Sequence, residues 1–322
     1  MTVQNTDFGR VAEDLRRAAG SFALLTSNAT AFGIALNSFR EFERQLISTN
    51  AVALGTVTTY NQMERAARGF ALATTTSAVE AVNALQNLAQ AGFTAQESLQ
   101  AMTGVLLLAS ATLTDVTVAS DLISANIRAF GLAASDTTRV ANLFTAAITN
   151  GLASIDKLTF AMRQVAPVSE VAGLSIEQTT AFLNELFNVG LRGEQAGTAL
   201  RNVIVRLVRP TGEAAKTLRE IGVSTVDATG NFRDLETILR EIGEANLSEA
   251  QLANIFENEA LAGAITLIKS AQVEANGATS AYQKQLAAIS GTQRALELTI
   301  ENLKSFDGSM KLLRNTVIDL AI

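Results

Sequence analysis

The chain has 322 residues with a formal net charge of -6, 17% charged and 5% aromatic residues, 2 prolines, and neither histidine nor cysteine. An acidic balance without a long basic run argues against specific nucleic-acid binding, and the missing histidine and cysteine close the Ser-His-Asp, Cys-His, disulfide and ordinary zinc chemistries. Mean hydropathy is positive, and the length suffices for one large core or two smaller ones. The sparse charge fits either an exterior covered by other copies or proteins, or an Ala-rich soluble bundle.

Met1 to Asn5 lacks the basic start of a secretory signal, so no export is implied. From Leu15 the apolar positions step by three and four through Ala18, Phe22, Leu25, Ala29, Phe32, Leu36 and Phe39, with Leu46 one heptad beyond. That spacing predicts a coiled-coil seam, with Phe22, Leu25, Phe32 and Phe39 as oligomer contacts; the alternative is an amphipathic helix packed on its own domain. Ala18 to Phe39 carries no charge and is long enough to span a bilayer, but its serines, threonines and asparagines disfavour insertion.

Next comes Leu88-Ala-Gln-Ala-Gly-Phe-Thr-Ala-Gln-Glu97, which states a rule of construction. Gly92 ends a helix in the left-handed C′ conformation, Phe93 packs back on the last turn, and Thr94 with Glu97 forms a capping box for the next helix. Ser98 to Thr114, with Val105-Leu-Leu-Leu108 at its centre, reads as a fully buried helix. The same sequence grammar predicts turns at Gly131 before Ser135, at Gly151 before Ser154, at Gly173 before Ser175 with Gln178, and at Gly190. Gly190-Leu-Arg-Gly-Glu-Gln-Ala-Gly197 lacks the Gly-Lys-Ser/Thr of a phosphate loop and predicts a turn between close-packed helices. Arg201, Arg206 and Arg209 follow near one helix face, as a partner contact or a solvated stripe.

Gly222 to Asp234 alternates β-branched and polar residues and turns between Asp227 and Gly230, predicting a small β-hairpin. Helix resumes near Leu235, and Ser248 with Gln251 supplies another capping box. Glu257 and Glu259 form the densest carboxylate pair; two residues apart on a helix they diverge by about 200°, which suits an interface better than glycosidase chemistry. Leu303, Phe306, Met310 and Leu313, with Val317 and Leu320, repeat the heptad step, although Gly308 could break it. The pattern runs up to Ile322, so continuation in a longer protein is expected.

Five segments in one order carry a family resemblance: Leu88 to Phe93, Ala129 to Leu132, Gly190 to Arg201, Gly222 to Phe232, and Phe256 to Gly263. With them the sequence resembles the core region of phage tail tape measure proteins, from about Phe42 to Leu320. Where that family usually carries Thr-Pro before a capping Ser, this chain has Thr75-Thr76-Ser77. The expected fold is all-α: a compact multi-helix core with one small β-hairpin, flanked by long coiled-coil-like helices. The expected segments are a leader over 1–60, the core over 61–269 and a C-terminal extension over 270–322. The resemblance implies a structural, non-enzymatic protein without cofactor or metal. Such a protein sits in the tail tube lumen or at a tail end, sets tail length during assembly in the host cytoplasm, and is released with the genome. Implied partners are further copies of itself, with three fitting a tube of six-fold symmetry, and tube, tail-tip and tail assembly chaperone proteins. A second class is a membrane-active effector inserting into the host membrane.

Overall fold

The structure, a computed structural model, describes residues 29–273 and 279–319. Among them the chain forms fifteen α-helices and one 3-10 turn. The elements fall into two units, one made of residues up to Ser124 with Ala133–Asn142 and the chain from Gln293, the other of Ala125–Leu132 with Leu143–Thr292.

In the first unit α1 (Ala29–Val52), α2 (Val57–Ala71), α3 (Ala78–Gln90) and α4 (Ala95–Thr112) lead the chain, and α5 begins at Val116 (Val116–Ala129). Helix α3 packs on α1, α2 and α4. Phe42 and Leu46 of α1 are buried, and Gln45 hydrogen-bonds Asn83 and, at 3.0 Å, Gln86 of α3. Helix α4 is the apolar centre, with Val105, Leu106 and Leu108 at 0% exposure. Its Gly104 meets the backbone at Thr137, where a Cβ would stand 2.5 Å from the Thr137 carbonyl oxygen.

The C-terminal helices α14 (Arg294–Lys304) and α15 (Phe306–Asp319) belong to this unit. They are not one coiled-coil helix. Ser305 has extended backbone (φ -68, ψ 156), and its hydroxyl accepts from the Gly308 N–H at 3.0 Å, so it ends α14 and caps α15. The break therefore lies at Ser305; Gly308 is inside α15, where a Cβ would run into the Asn302 carbonyl. Asparagines fasten both helices: Asn142 Oδ1 accepts from the Ala295 N–H at 3.0 Å, Asn302 donates to the Ser110 carbonyl at 2.8 Å, and Asn315 to the Thr76 carbonyl at 2.9 Å.

The second unit includes α7 (Ile155–Val171), α8 (Ile176–Asn188), α9 (Gly193–Val208), α10 (Gly212–Glu220), α11 (Leu235–Glu244), α12 (Glu249–Ala271) and α13 (Ala281–Ile289), while α6 (Thr137–Thr149) enters it from Leu143. Helix α9 is its pivot, packed on α7, α8 and α12. Gly193 and Gly197, one helical turn apart, lie on the α7 backbone: a Cβ would stand 2.6 Å from the Lys157 oxygen and 2.5 Å from the Ala161 oxygen. Ala199 meets Gly263 of α12 in the same way, a Cβ on Gly263 falling 2.7 Å from the Ala199 Cβ. Around these contacts Leu158, Val165, Leu183, Phe187, Leu200 and Ile204 are fully buried.

The turn glycines explain how short connections suffice. Gly92, Gly131, Gly173, Gly190 and Gly222 have φ of 87, 60, 77, 91 and 73. The apolar residue after each donates its N–H to a carbonyl five residues back: Phe93 to Leu88, Leu132 to Ile127, Leu174 to Ser169, Leu191 to Leu186 and Val223 to Leu218, at 2.9 to 3.2 Å. Gly151 departs from this pattern, without a left-handed φ; it instead leaves room for Asn188, whose Oδ1 would stand 3.1 Å from a Cβ and accepts from the Leu152 N–H at 3.0 Å. Capping boxes form at Thr94 with Glu97, Ser175 with Gln178 and Ser248 with Gln251, and also at Ser77 with Glu80 and Ser280 with Gln283. Ser154 caps α7, whereas Ser135 lies inside the 3-10 turn Ala134–Asp136 and caps no helix.

The expected β-hairpin does not form. A single antiparallel bridge joins Val226 to Phe232, and no strand occurs among the described residues. Its arms are already engaged at both ends, since the Val223 N–H closes α10 and Asp234 caps α11 by accepting from the Thr237 N–H at 2.9 Å. Between them the Asp227 carboxylate accepts from the Thr229 and Asn231 N–H groups at 2.8 and 3.0 Å, and Gly230 turns at φ 87.

The α7 and α9 contact predicts opposite effects for one added methyl group. Gly197→Ala should destabilise the protein by about 1–3 kcal/mol through overpacking. Gly69→Ala, on an exposed helical position with nothing within 4 Å, should stabilise it by up to about 1 kcal/mol. Thermal unfolding followed by circular dichroism checks both; equal shifts would contradict the backbone contact.

Candidate functional site

Two clusters in the second unit bring polar side chains together. In the first, α9 and α12 enclose a cleft of about 230 Å³ lined by Asn202, Val205, Arg206, Arg209, Phe256, Glu257 and Glu259. Arg206 forms an ion pair with Glu257. Glu257 is not helical: its φ of 56 and ψ of 167 interrupt α12. The expectation that Glu257 and Glu259 simply diverge on one helix is therefore corrected, because the backbone turns between them. Two arginines and two carboxylates line the cleft, and Arg206 and Glu257 neutralise each other. Arg201 lies exposed on α9, outside this lining.

In the second cluster the N-termini of α8, α11 and α13 are tied together. Gln178 donates to Asp234 at 3.2 Å, and the Ser280 hydroxyl donates to Glu236 at 3.0 Å. Tyr282 is 1% exposed and stacks on Phe182 with ring centroids 4.0 Å apart. Burial, reinforced by Asp234 and Glu236, pushes the Tyr282 hydroxyl above its ordinary range; burial likewise raises Glu236, and raises Glu185 on α8. Gln178, Asp234, Ser280 and Glu236 are hydrogen-bonded at helix ends, while the buried Tyr282 hydroxyl finds no partner among the described residues, and the cluster fastens α13. Among the described residues no set of carboxylates is arranged to hold a metal ion.

The seam candidates divide. Phe22 and Leu25 lie outside the described residues, and Phe32 and Phe306 are helical positions whose side chains are not described. Phe39 and Leu313 are half-buried and Met310 is 48% exposed. Leu303, at 3% exposure, is buried within its own unit. As an outward seam residue it is a correction: the turn at Ser305 folds α14 and α15 back as separate helices, so heptad spacing across the break no longer defines one stripe. Much of Ala18 to Phe39, weighed as a membrane segment, also falls outside the described residues. Among the described ones no helix is long and apolar enough to cross a membrane.

The chain was compared with known proteins. The family described as phage-related minor tail protein matches residues 64–258. A tape measure protein of Pneumococcus phage Dp-1 is 33% identical over 247 residues, covering 75% of this chain and 22% of that protein. A probable tape measure protein of Escherichia phage P2 is 33% identical over 207 residues, covering 62% of this chain and 25% of that protein. The chain thus spans a quarter or less of the length of these curated relatives. No solved structure matches it significantly.

The burial difference within the C-terminal row gives a paired expectation. Leu303→Glu should cost about 3 kcal/mol or more, as a charge placed in an apolar interior does, while Met310→Glu should stay within about 0.5 kcal/mol. Thermal unfolding of the two variants measures the difference. A tolerated Leu303→Glu would return that residue to an exposed seam.

Proposed function

The chain belongs to the phage tail tape measure family, and from that premise we propose that it is the folded helical body of a tape measure protein, carried in the virion tail. In this proposal the body sits at one end of the tail tube, while helical sequence elsewhere in a longer protein spans the lumen, sets tail length during assembly and leaves as the genome is ejected. The observation that carries it is that the family match over residues 64–258 falls on the packed helices of both units. Drawn out as one helix, 322 residues would reach about 480 Å; packed into helices of nine to twenty-four residues they give up that reach. Measuring a long tube is accordingly assigned to the remainder of the longer protein, in keeping with the 22% and 25% shares of the relatives covered here.

The role is structural, not enzymatic. Its partners would be tube and tail-tip proteins, an assembly chaperone in the host cytoplasm, and two further copies joined through the heptad row that runs from Leu15 into α1. The membrane-active alternative draws no support from the helices described.

Deleting the gene from the phage that encodes the chain should leave no tails of normal length in electron micrographs of infected cells, and supplying it in trans should restore them. Tails of unchanged, uniform length without it would overturn the proposal.

A further inference from the structure

The strongest unabsorbed feature of the molecule is the backbone at Glu257. Helix α12 runs from Glu249 to Ala271, and its one non-helical residue is a glutamate with φ 56 and ψ 167, a conformation that essentially only glycine adopts without cost. Sharp helix bends ordinarily trace to proline, glycine or an inserted group. Here the sequence Glu-Ala-Gln-Leu-Ala-Asn-Ile-Phe-Glu-Asn-Glu-Ala-Leu-Ala, residues 249–262, holds no glycine or proline and is rich in helix formers. Local preference and observed backbone therefore disagree at one residue.

The buried positions on this helix are compatible with a second conformation. At about 100° per residue, an unbroken helix would place Phe256, Ala260, Gly263, Leu267 and Ala271 within an arc of about 80°. All five are buried in the bent form. These five would form one face of a straight α12, while the buried Ile255, Ala264 and Ile268 would flank it, so most but not all of the surface buried in the bent form is contiguous in a straight one. In the bent form Glu257 pairs with Arg206 of α9, in a cleft that Arg209 also lines.

We infer that α12 is a two-state element, held bent by the ion pair between Glu257 and Arg206 and built to straighten into a continuous helix when that pair is broken. A partner or strain that engages Arg206 would lengthen α12 without unfolding it. The device stands on the backbone and the cleft, independently of the tail-length proposal.

Because the chain has no cysteine, nitroxide labels on Ala250→Cys and Lys269→Cys, both exposed, would be the only labels present. Nineteen helical residues separate these sites, about 28 Å along a straight helix. Pulsed electron-spin distance measurements should give a shorter main distance in the otherwise unaltered protein. Glu257→Ala, which removes the pair and favours helix, should shift the distribution towards the straight-helix value, and Arg206→Ala should shift it in the same direction. Glu257→Gly, which relieves the bent backbone, should keep the short distance. Circular dichroism must show retained helix in each variant; a variant that fails this check is replaced by Glu257→Gln, which weakens the pair and should move towards the long distance. Glu257→Ala at the unaltered distance, or Glu257→Gly lengthening as much as Glu257→Ala, would overturn the inference.

Discussion

Everything in this structure depends on helices that stop and reverse within two or three residues, and one hydrogen bond makes that stop. The residue after a left-handed glycine turns its N–H back to a carbonyl five positions earlier, satisfying a helix end that would otherwise need water. Phe93, Leu132, Leu174, Leu191 and Val223 all make this bond. Each is also apolar, so the same residue covers the last turn of the helix it closes. A capping box then opens the next helix at Thr94 and at Ser175. Neither step needs a long loop.

Helices joined so tightly must also pack tightly, and small residues permit it. Gly193 and Gly197 let α9 touch the α7 backbone, and Gly263 admits Ala199 from the other side. Few large aromatics are needed, which is how a chain with 5% aromatic residues builds apolar cores. Where polar groups do gather, at Arg206 and Glu257 or at Ser280 and Glu236, they neutralise or cap one another.

Much of this was legible in the sequence because its signals are local. A glycine, an apolar residue and a capping box sit within six residues, and Gly92, Gly173 and Gly190 have the left-handed backbone such a signal implies. The box at Ser77 with Glu80 follows the same spacing although no glycine stands in the five residues before it, and the box at Ser280 with Gln283 follows that spacing too. What escaped depends on distant partners or on conflict with local preference. Helices also end in left-handed backbone at Leu54, Leu113 and Asn246 without a glycine. The alternation from Gly222 to Asp234 suggested paired strands, but the helix ends at Val223 and Asp234 leave room for only one bridge, with backbone bonds from Asp227 to Asn231 and from Arg233 to Thr225. The heptad row at the C-terminus ran on through Ser305 because spacing alone does not register a one-residue turn, and Leu303 proved to face its own core. The bend at Glu257 is not legible in the sequence, since neither glycine nor proline marks it between Glu249 and Ala262. Gly193 and Gly197 were read as part of a turn between close-packed helices, whereas their place inside α9 and their contact with α7 required the fold.

The measurement closest to the centre of this account is amide hydrogen exchange, resolved by residue, at the positions following the turn glycines. If the reversing bond organises the fold, the N–H groups of Phe93, Leu174, Leu191 and Val223 should exchange as slowly as those inside the adjoining helices. Exchange at the rate of a free peptide at these positions, with the helix interiors still protected, would contradict it.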